Sequence, residues 1–135
     1  MKGEAAAFVE QATIVLARGD IMLRAGLNED AARAAYMASF HVAQAYIFER
    51  TNKTSKSHKG VQIEFLRLTK DDALIDPALR KFLSQSYDYK SVADYFTGPD
   101  ASTSAEEATN ALATAKRFVA HLTGLVSVGA PGIEP

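Results

Sequence analysis

The sequence predicts an all-α fold, an up-and-down antiparallel bundle of four to five helices joined by short loops. Three observations support this prediction. Apolar residues recur at spacings of three and four along most of the chain. Proline, glycine and capping residues divide the chain into five segments. No segment shows the apolar–polar alternation that is typical of a half-buried strand.

The first two predicted helices occupy residues 2–27 and 29–52. Gly19 weakens the first helix and Gly26 helps to end it, while Asn28 is the expected N-cap of the second. The apolar stripe of the second helix covers most of its circumference and is rich in alanine, so we expect this helix to be the most buried.

A run of seven polar residues, 51–57, separates the second helix from a third, which runs from residue 58 to about residue 70. Ser57, the last residue of this run, is a suitable N-cap for the third helix. Its apolar residues fall on one face, as expected for a helix that covers part of the core.

Two further helices are marked by clear start signals. Asp76 is a capping carboxylate followed by a proline, which favours the first position of a fourth helix that ends near residues 98–99. Ser104 and Glu107 form a capping box for the fifth helix. We therefore assign residues 1–128 to one helical domain and residues 129–135 to a flexible tail.

Composition narrows the classes of function. The formal net charge of -1 argues against a strongly basic nucleic-acid binder, although a local patch is compatible with it. The chain has no cysteine, which excludes disulfides and thiolate zinc sites. It shows no signal peptide and no apolar stretch long enough for a membrane, so we expect a cytoplasmic protein with no membrane contact.

General catalytic and metal-binding motifs are absent from the sequence. We find no glycine-rich phosphate loop, no His-Glu-x-x-His pair and no glycine-flanked nucleophilic serine. The three histidines, His41, His58 and His121, lack the spacing of metal ligands. We therefore expect neither a bound metal nor a cofactor.

The sequence SKSHKG around His58 is the strongest candidate site. If Ser57 caps the third helix, unpaired backbone N–H groups there are flanked by Lys56 and Lys59, which is an arrangement that attracts phosphate. An imidazole can exchange a proton near neutral pH, and Gly60 would let a ligand approach the backbone. The alternative is a polar turn with a capping serine and a small packing residue.

Further basic residues surround this segment. Arg50, Lys53, Lys56 and Lys59 follow one another closely, and Arg67 extends the charge along the third helix. Such a run usually indicates only a solvated surface. Its position around a helix start also favours contact with a nucleotide or an RNA backbone.

Four blocks of sequence carry a resemblance to a known family. AARAAYMASFHVAQAYIFER, SHKG, YDYKSVADY and SAEEATNALATAKRFVAHL occur in this order and together resemble the small stand-alone HEPN domains. The resemblance implies a bundle of four or five helices, usually a homodimer, often encoded beside a minimal nucleotidyltransferase as a toxin–antitoxin pair. Many members are metal-independent ribonucleases whose active site lies in the cleft across the dimer.

The resemblance also assigns residues, and the chain departs from the family in two places. No arginine precedes a histidine by the four to six intervening residues of the ribonuclease signature. Lys90 occupies a position where the stand-alone branch has arginine. Lysine lacks the two-pronged donor set of arginine that suits phosphate. The matching positions of the cleft are Tyr36, His41, Ser57, His58, Lys59, Gly60, Asp94 and Tyr95, and Lys90 lies in the same cleft at the position of the expected arginine.

Three hypotheses for the function follow. The protein is a partner module that docks a nucleotidyltransferase and binds nucleotide or RNA without cleaving it. Alternatively, it is a ribonuclease in which His58 is the base or acid and Lys59 or Arg50 holds the phosphate. The third hypothesis is a purely structural dimer whose polar turn has no ligand.

Overall fold

The computed structural model describes residues 3–95 and 102–128. In these residues the chain forms five helices and no strand, which confirms the predicted all-α bundle. The predicted end of the fourth helix at residues 98–99 and the tail 129–135 lie outside the described residues. The helices are α1 (Gly3–Arg24), α2 (Asn28–Thr51), α3 (His58–Thr69), α4 (Pro77–Tyr95) and α5 (Ala105–Val128).

Helix α2 is the central element of the bundle. It packs against each of the four other helices, and most of its residues are buried, including Tyr36, Tyr46 and Ile47. Its alanines leave room for neighbouring helix backbones. The prediction that the second helix is the most buried is therefore confirmed.

Gly19 is the residue that lets α1 lie close to its neighbours. A Cβ atom at this position would be 2.7 Å from Leu112 Cδ2 on α5 and 3.1 Å from Ala34 Cβ on α2. Sequence alone identifies Gly19 only as a weak point in a helix. In the fold it is the contact at which three helices meet.

The predicted caps of α3, α4 and α5 are confirmed. The Ser57 hydroxyl accepts the Gly60 N–H at 3.0 Å, and Asp76 Oδ1 accepts an N–H from the second residue of α4 at 2.9 Å. Ser104 and Glu107 bond reciprocally at 3.0 and 3.3 Å, which is the arrangement of a capping box. These bonds satisfy N–H groups that the helices themselves leave unpaired.

The expected N-cap at Asn28 is wrong. Gly26 adopts a φ of 79°, and the Leu27 N–H then bonds back to the Met22 carbonyl at 2.9 Å. The Leu27 carbonyl accepts the Ala31 N–H and starts α2, so Asn28 is already helical and no side chain caps this end. Helix α2 therefore begins one residue earlier than the capping pattern predicts, and α1 ends at Arg24, three residues before its predicted end.

Within residues 3–95 and 102–128, no helix is both long and apolar enough to cross a membrane.

Candidate functional site

The start of α3 places the His58 imidazole among aromatic rings of α2 and α4. The ring centroid lies 4.5 Å from that of Phe40 and 5.6 Å from those of Tyr36 and Tyr87. The Ser57 cap fixes the first turn of α3 and thereby the position of the histidine next to it. His58 is half-buried, so the neighbouring rings cover only part of this residue.

The hydrogen bonds of Tyr36 determine where the neutral imidazole carries its proton. The Tyr36 hydroxyl lies 2.8 Å from His58 Nδ1 and accepts the Gln62 amide at 3.4 Å. Tyr36 is fully buried, and burial raises its pKa to about 12, so it keeps its proton. A buried hydroxyl needs an acceptor for that proton, and Nδ1 provides it. The proton of neutral His58 is therefore on Nε2.

His58 is largely neutral at pH 7. Burial of the ring lowers its pKa below the ordinary value of 6.5, and the nearby charges of Lys90 and Arg33 lower it further. The carboxylate of Asp94 acts in the opposite direction. At neutral pH the ring consequently has an N–H donor at Nε2 and an acceptor at Nδ1.

A cationic group from two helices lies beside this ring. Arg33 Nε of α2 donates to Asp94 Oδ1 at 2.7 Å, and Lys90 Nζ of α4 donates to Asp94 Oδ2 at the same distance. The hydrogen bond from Lys90 lowers the pKa of Asp94, and the same bond raises the pKa of Lys90. All three groups are therefore charged at pH 7, and two cations share one carboxylate.

Donors remain available in this ion triad of Arg33, Asp94 and Lys90. Arg33 uses only Nε, and in the described part of the chain its two terminal nitrogens have no partner. Its side chain is 38% exposed, whereas that of Lys90 is 9% exposed. Tyr95, at the end of the described α4, places its ring 5.2 Å from Lys90 Nζ.

His41 has the opposite tautomer from His58. The Gln44 amide donates to the Ser55 carbonyl at 2.8 Å, so its oxygen Oε1 is the atom that accepts from His41 Nδ1 at 2.9 Å. The proton of neutral His41 is therefore on Nδ1 and its Nε2 is an acceptor. His41 of α2 and His58 of α3 both contact the ring of Phe40.

A comparison with protein-family models identifies the chain. The model of the HEPN domain matches residues 5–125, which is most of the chain and includes both histidines and the ion triad. This chain belongs to the HEPN domain family. A search of curated proteins finds no match.

In this HEPN domain one of the two cations beside His58, Lys90, is predicted from the resemblance, and the other, Arg33, is not. Lys56 and Lys59 are exposed. The charges that shift the pKa of His58 come instead from Lys90, Arg33, Asp94 and His41. Arg33 is absent from the sequence-based site. The sequence feature that could have identified Arg33 is its position three residues before Tyr36, on the same face of the helix.

The surroundings of Gly60 fit the alternative interpretation of this segment, in which the glycine is a small packing residue. A Cβ atom there would lie 2.5 Å from Ser57 Oγ and 3.1 Å from Ser55 Oγ. The bare glycine therefore accommodates the hydroxyl that caps α3. The space that a side chain would occupy is filled by these serines, and Gly60 also lines a second pocket of about 350 Å³ with Ser55 and Lys53.

Arg50 lies apart from the His58 cluster in the HEPN domain. Its guanidinium is 4.5 Å from the ring centroid of Tyr46, whose hydroxyl donates to Asp72 at 2.9 Å. Arg50 is ten residues beyond Phe40 on α2, or about 15 Å along the helix axis. The structure does not bring it together with His58.

The described residues contain no group of three His, Asp or Glu side chains that could hold a metal ion. The chemistry offered by the candidate site is that of its own N–H donors, its cations and the acceptor nitrogen of His41.

Proposed function

We propose that this HEPN domain binds the phosphate of a nucleotide or of single-stranded RNA at the group formed by His58, Lys90 and Arg33. The observation that carries the proposal is the pairing of two cations with one carboxylate beside the N–H donor of His58. Asp94 neutralises one of the two charges, so the group retains a net positive charge. A phosphate supplies the second anion that this arrangement lacks.

The free donors suit a phosphate. The terminal nitrogens of Arg33 can donate two parallel hydrogen bonds to phosphate oxygens. Neutral His58 adds a third donor through Nε2, and Lys90 adds charge from a largely buried position where the field is less screened by water. Single-stranded RNA presents such phosphates along an accessible backbone.

The protonation of His58 favours binding over cleavage by this residue. A general base needs a free lone pair facing the substrate, but the lone pair of neutral His58 is on Nδ1 and accepts from Tyr36. A general acid needs the imidazolium form, which the lowered pKa disfavours at pH 7. His58 is therefore suited to hold an anionic oxygen.

A metal-independent ribonuclease is the second candidate function, and His41 is the observation that favours it. In its neutral form Nε2 is an acceptor and could take the proton of a ribose 2′-hydroxyl. The ribonuclease hypothesis then has His41 as its base, and His58 with Lys90 stabilises the charge at phosphorus.

We further propose the setting that family membership suggests. The HEPN domain acts as a homodimer in the cytoplasm, where its RNA and nucleotide ligands are found, and a minimal nucleotidyltransferase is its partner in a toxin–antitoxin-like pair. Membership of the family supports this setting. Sedimentation of the purified protein, alone and with the product of a neighbouring nucleotidyltransferase gene, tests both associations.

Two substitutions, each of which removes one positive charge, test the binding proposal. We expect Lys90→Gln to weaken binding of a fluorescein-labelled single-stranded RNA by about tenfold, or about 1.4 kcal/mol. Lys59→Gln, the matched control on the exposed side of α3, should change it less than about twofold. Fluorescence anisotropy at one fixed salt concentration measures both.

Equal weakening by the two substitutions would show only general attraction between charges and would contradict the proposal. Arg33→Gln gives an independent test should Lys90→Gln fold poorly, because Arg33 is more exposed. Gel analysis of the same RNA in the presence of a chelator tests the second candidate, for which cleavage must disappear in His41→Gln. No binding and no cleavage by the folded protein would favour the structural dimer.

A further inference from the structure

A pocket of about 280 Å³ opens between α1 and α2, next to the proposed phosphate site. Its side chains fall into two classes. The floor is apolar, formed by Val15, Met22, Ala34 and Met37, and the rim is polar, formed by Gln11, Arg18, Asp30, Arg33 and His41.

Arg33 joins this pocket to the phosphate site. It lines the pocket, and the same side chain donates to Asp94, which in turn holds Lys90. His41 likewise lines the pocket and packs against Phe40, which also contacts His58. A ligand held by Arg33 can therefore continue into the pocket.

The chemistry of the pocket matches a nucleobase. Its apolar floor suits the face of a flat ring, and the side chains of Met22 and Met37 adapt to such surfaces. Its rim offers both donors and acceptors, which the edge of a base requires: the carboxylate of Asp30, the amide of Gln11 and the acceptor Nε2 of His41. The volume is near the lower end for small-molecule pockets and suits a single base.

We propose that the pocket between α1 and α2 binds the base of the nucleotide whose phosphate is held by Arg33 and Lys90. This inference rests on the proposed function, because the phosphate positions the nucleotide. It adds the requirement that affinity depend on the base as well as on the phosphate.

Isothermal titration calorimetry with five probes tests the inference: the 5′-monophosphates of adenosine, guanosine, cytidine and uridine, and ribose 5-phosphate, which lacks a base. We expect at least one nucleotide to bind about tenfold more tightly than ribose 5-phosphate. Val15→Phe, which fills the pocket, should remove this preference and leave the binding of ribose 5-phosphate unchanged. Ile14→Phe is the matched control, because Ile14 is exposed and does not line the pocket.

The outcomes separate the two proposals. If no probe binds, the proposed phosphate site fails and the base pocket fails with it. If ribose 5-phosphate and all four nucleotides bind equally, the phosphate site stands and the base pocket is wrong. Should Val15→Phe fail to fold, Asp30→Ala removes an exposed acceptor at the rim. An unchanged preference for the base in that variant and in Gln11→Ala would then contradict the inference.

Discussion

At the scale of single residues, the site depends on two histidines whose protons are on opposite nitrogens. Tyr36 has one acceptor for its buried proton, His58 Nδ1, and Gln44 presents an oxygen to His41 Nδ1. Neighbouring hydrogen bonds, and not the histidines themselves, therefore make one ring a donor and the other an acceptor at the surface.

We predict that nitrogen-15 NMR at about pH 7.5 shows neutral His58 with its proton on Nε2 and neutral His41 with its proton on Nδ1. Long-range correlations between ring protons and nitrogens distinguish the two tautomers. Tyr36→Phe removes the donor to Nδ1 and should shift His58 towards a mixture of both forms. A proton on Nδ1 of His58 in the wild-type protein would contradict the assigned roles.

Sequence locates most of these residues but not their partners. His58, Lys90, Asp94 and Tyr36 are all predicted, yet Arg33 is missed because its partner Asp94 is sixty-one positions away in the chain. Pairing over that distance depends on how α2 packs against α4. The sequence also could not predict the orientation of Lys59, because the pattern of charges does not specify which side of a helix start faces a ligand.

At the scale of elements, the helix boundaries follow from local chemistry that sequence displays. The caps at Ser57, Asp76 and Ser104 were predicted because each is a bond between residues a few positions apart. Asn28 was misassigned because Gly26 and Leu27 complete the turn with backbone bonds and require no side chain. Close contacts between helices, such as the one at Gly19, depend on packing and have no local signal.

We predict that Gly19→Ala lowers the free energy of unfolding by about 1–3 kcal/mol. Alanine favours an isolated helix by about 1 kcal/mol over glycine, but its Cβ would press on Leu112 and Ala34 in the buried contact. Urea unfolding of the purified variant measures the change. Gly3→Ala is the control, because nothing lies within 4 Å of a Cβ at that position, and it should be neutral or stabilising.

A Gly19→Ala variant more stable than the wild type would contradict the close approach of α1, α2 and α5 at this position.

At the scale of the whole molecule, the perturbed groups of the site make stability depend on pH. Burial lowers the pKa of His58 in the folded state below its ordinary 6.5, so the unfolded chain binds the proton more tightly. The resulting stabilisation is complete above about pH 6.5 and is lost as the pH falls through the folded value. The pKa of Asp94 is also lowered from 3.8, and its contribution is lost only at still more acidic pH.

We predict that the free energy of unfolding decreases when the pH is lowered from about 7.5 to about 5, and that His58→Gln reduces this dependence. Urea unfolding at several pH values measures the slope for both proteins. The difference between them isolates His58 from the other titrating groups. Identical slopes would contradict a lowered pKa of His58 in the folded protein.

The proposed function requires a negatively charged group to bind beside His58. NMR titration of this imidazole, with and without a saturating short oligouridylate, tests that claim most directly. We predict that the bound RNA raises the pKa of His58 by about one unit, because a phosphate within a few ångströms stabilises the imidazolium. Bound RNA that leaves the pKa of His58 where it was would place the ligand elsewhere and contradict the account.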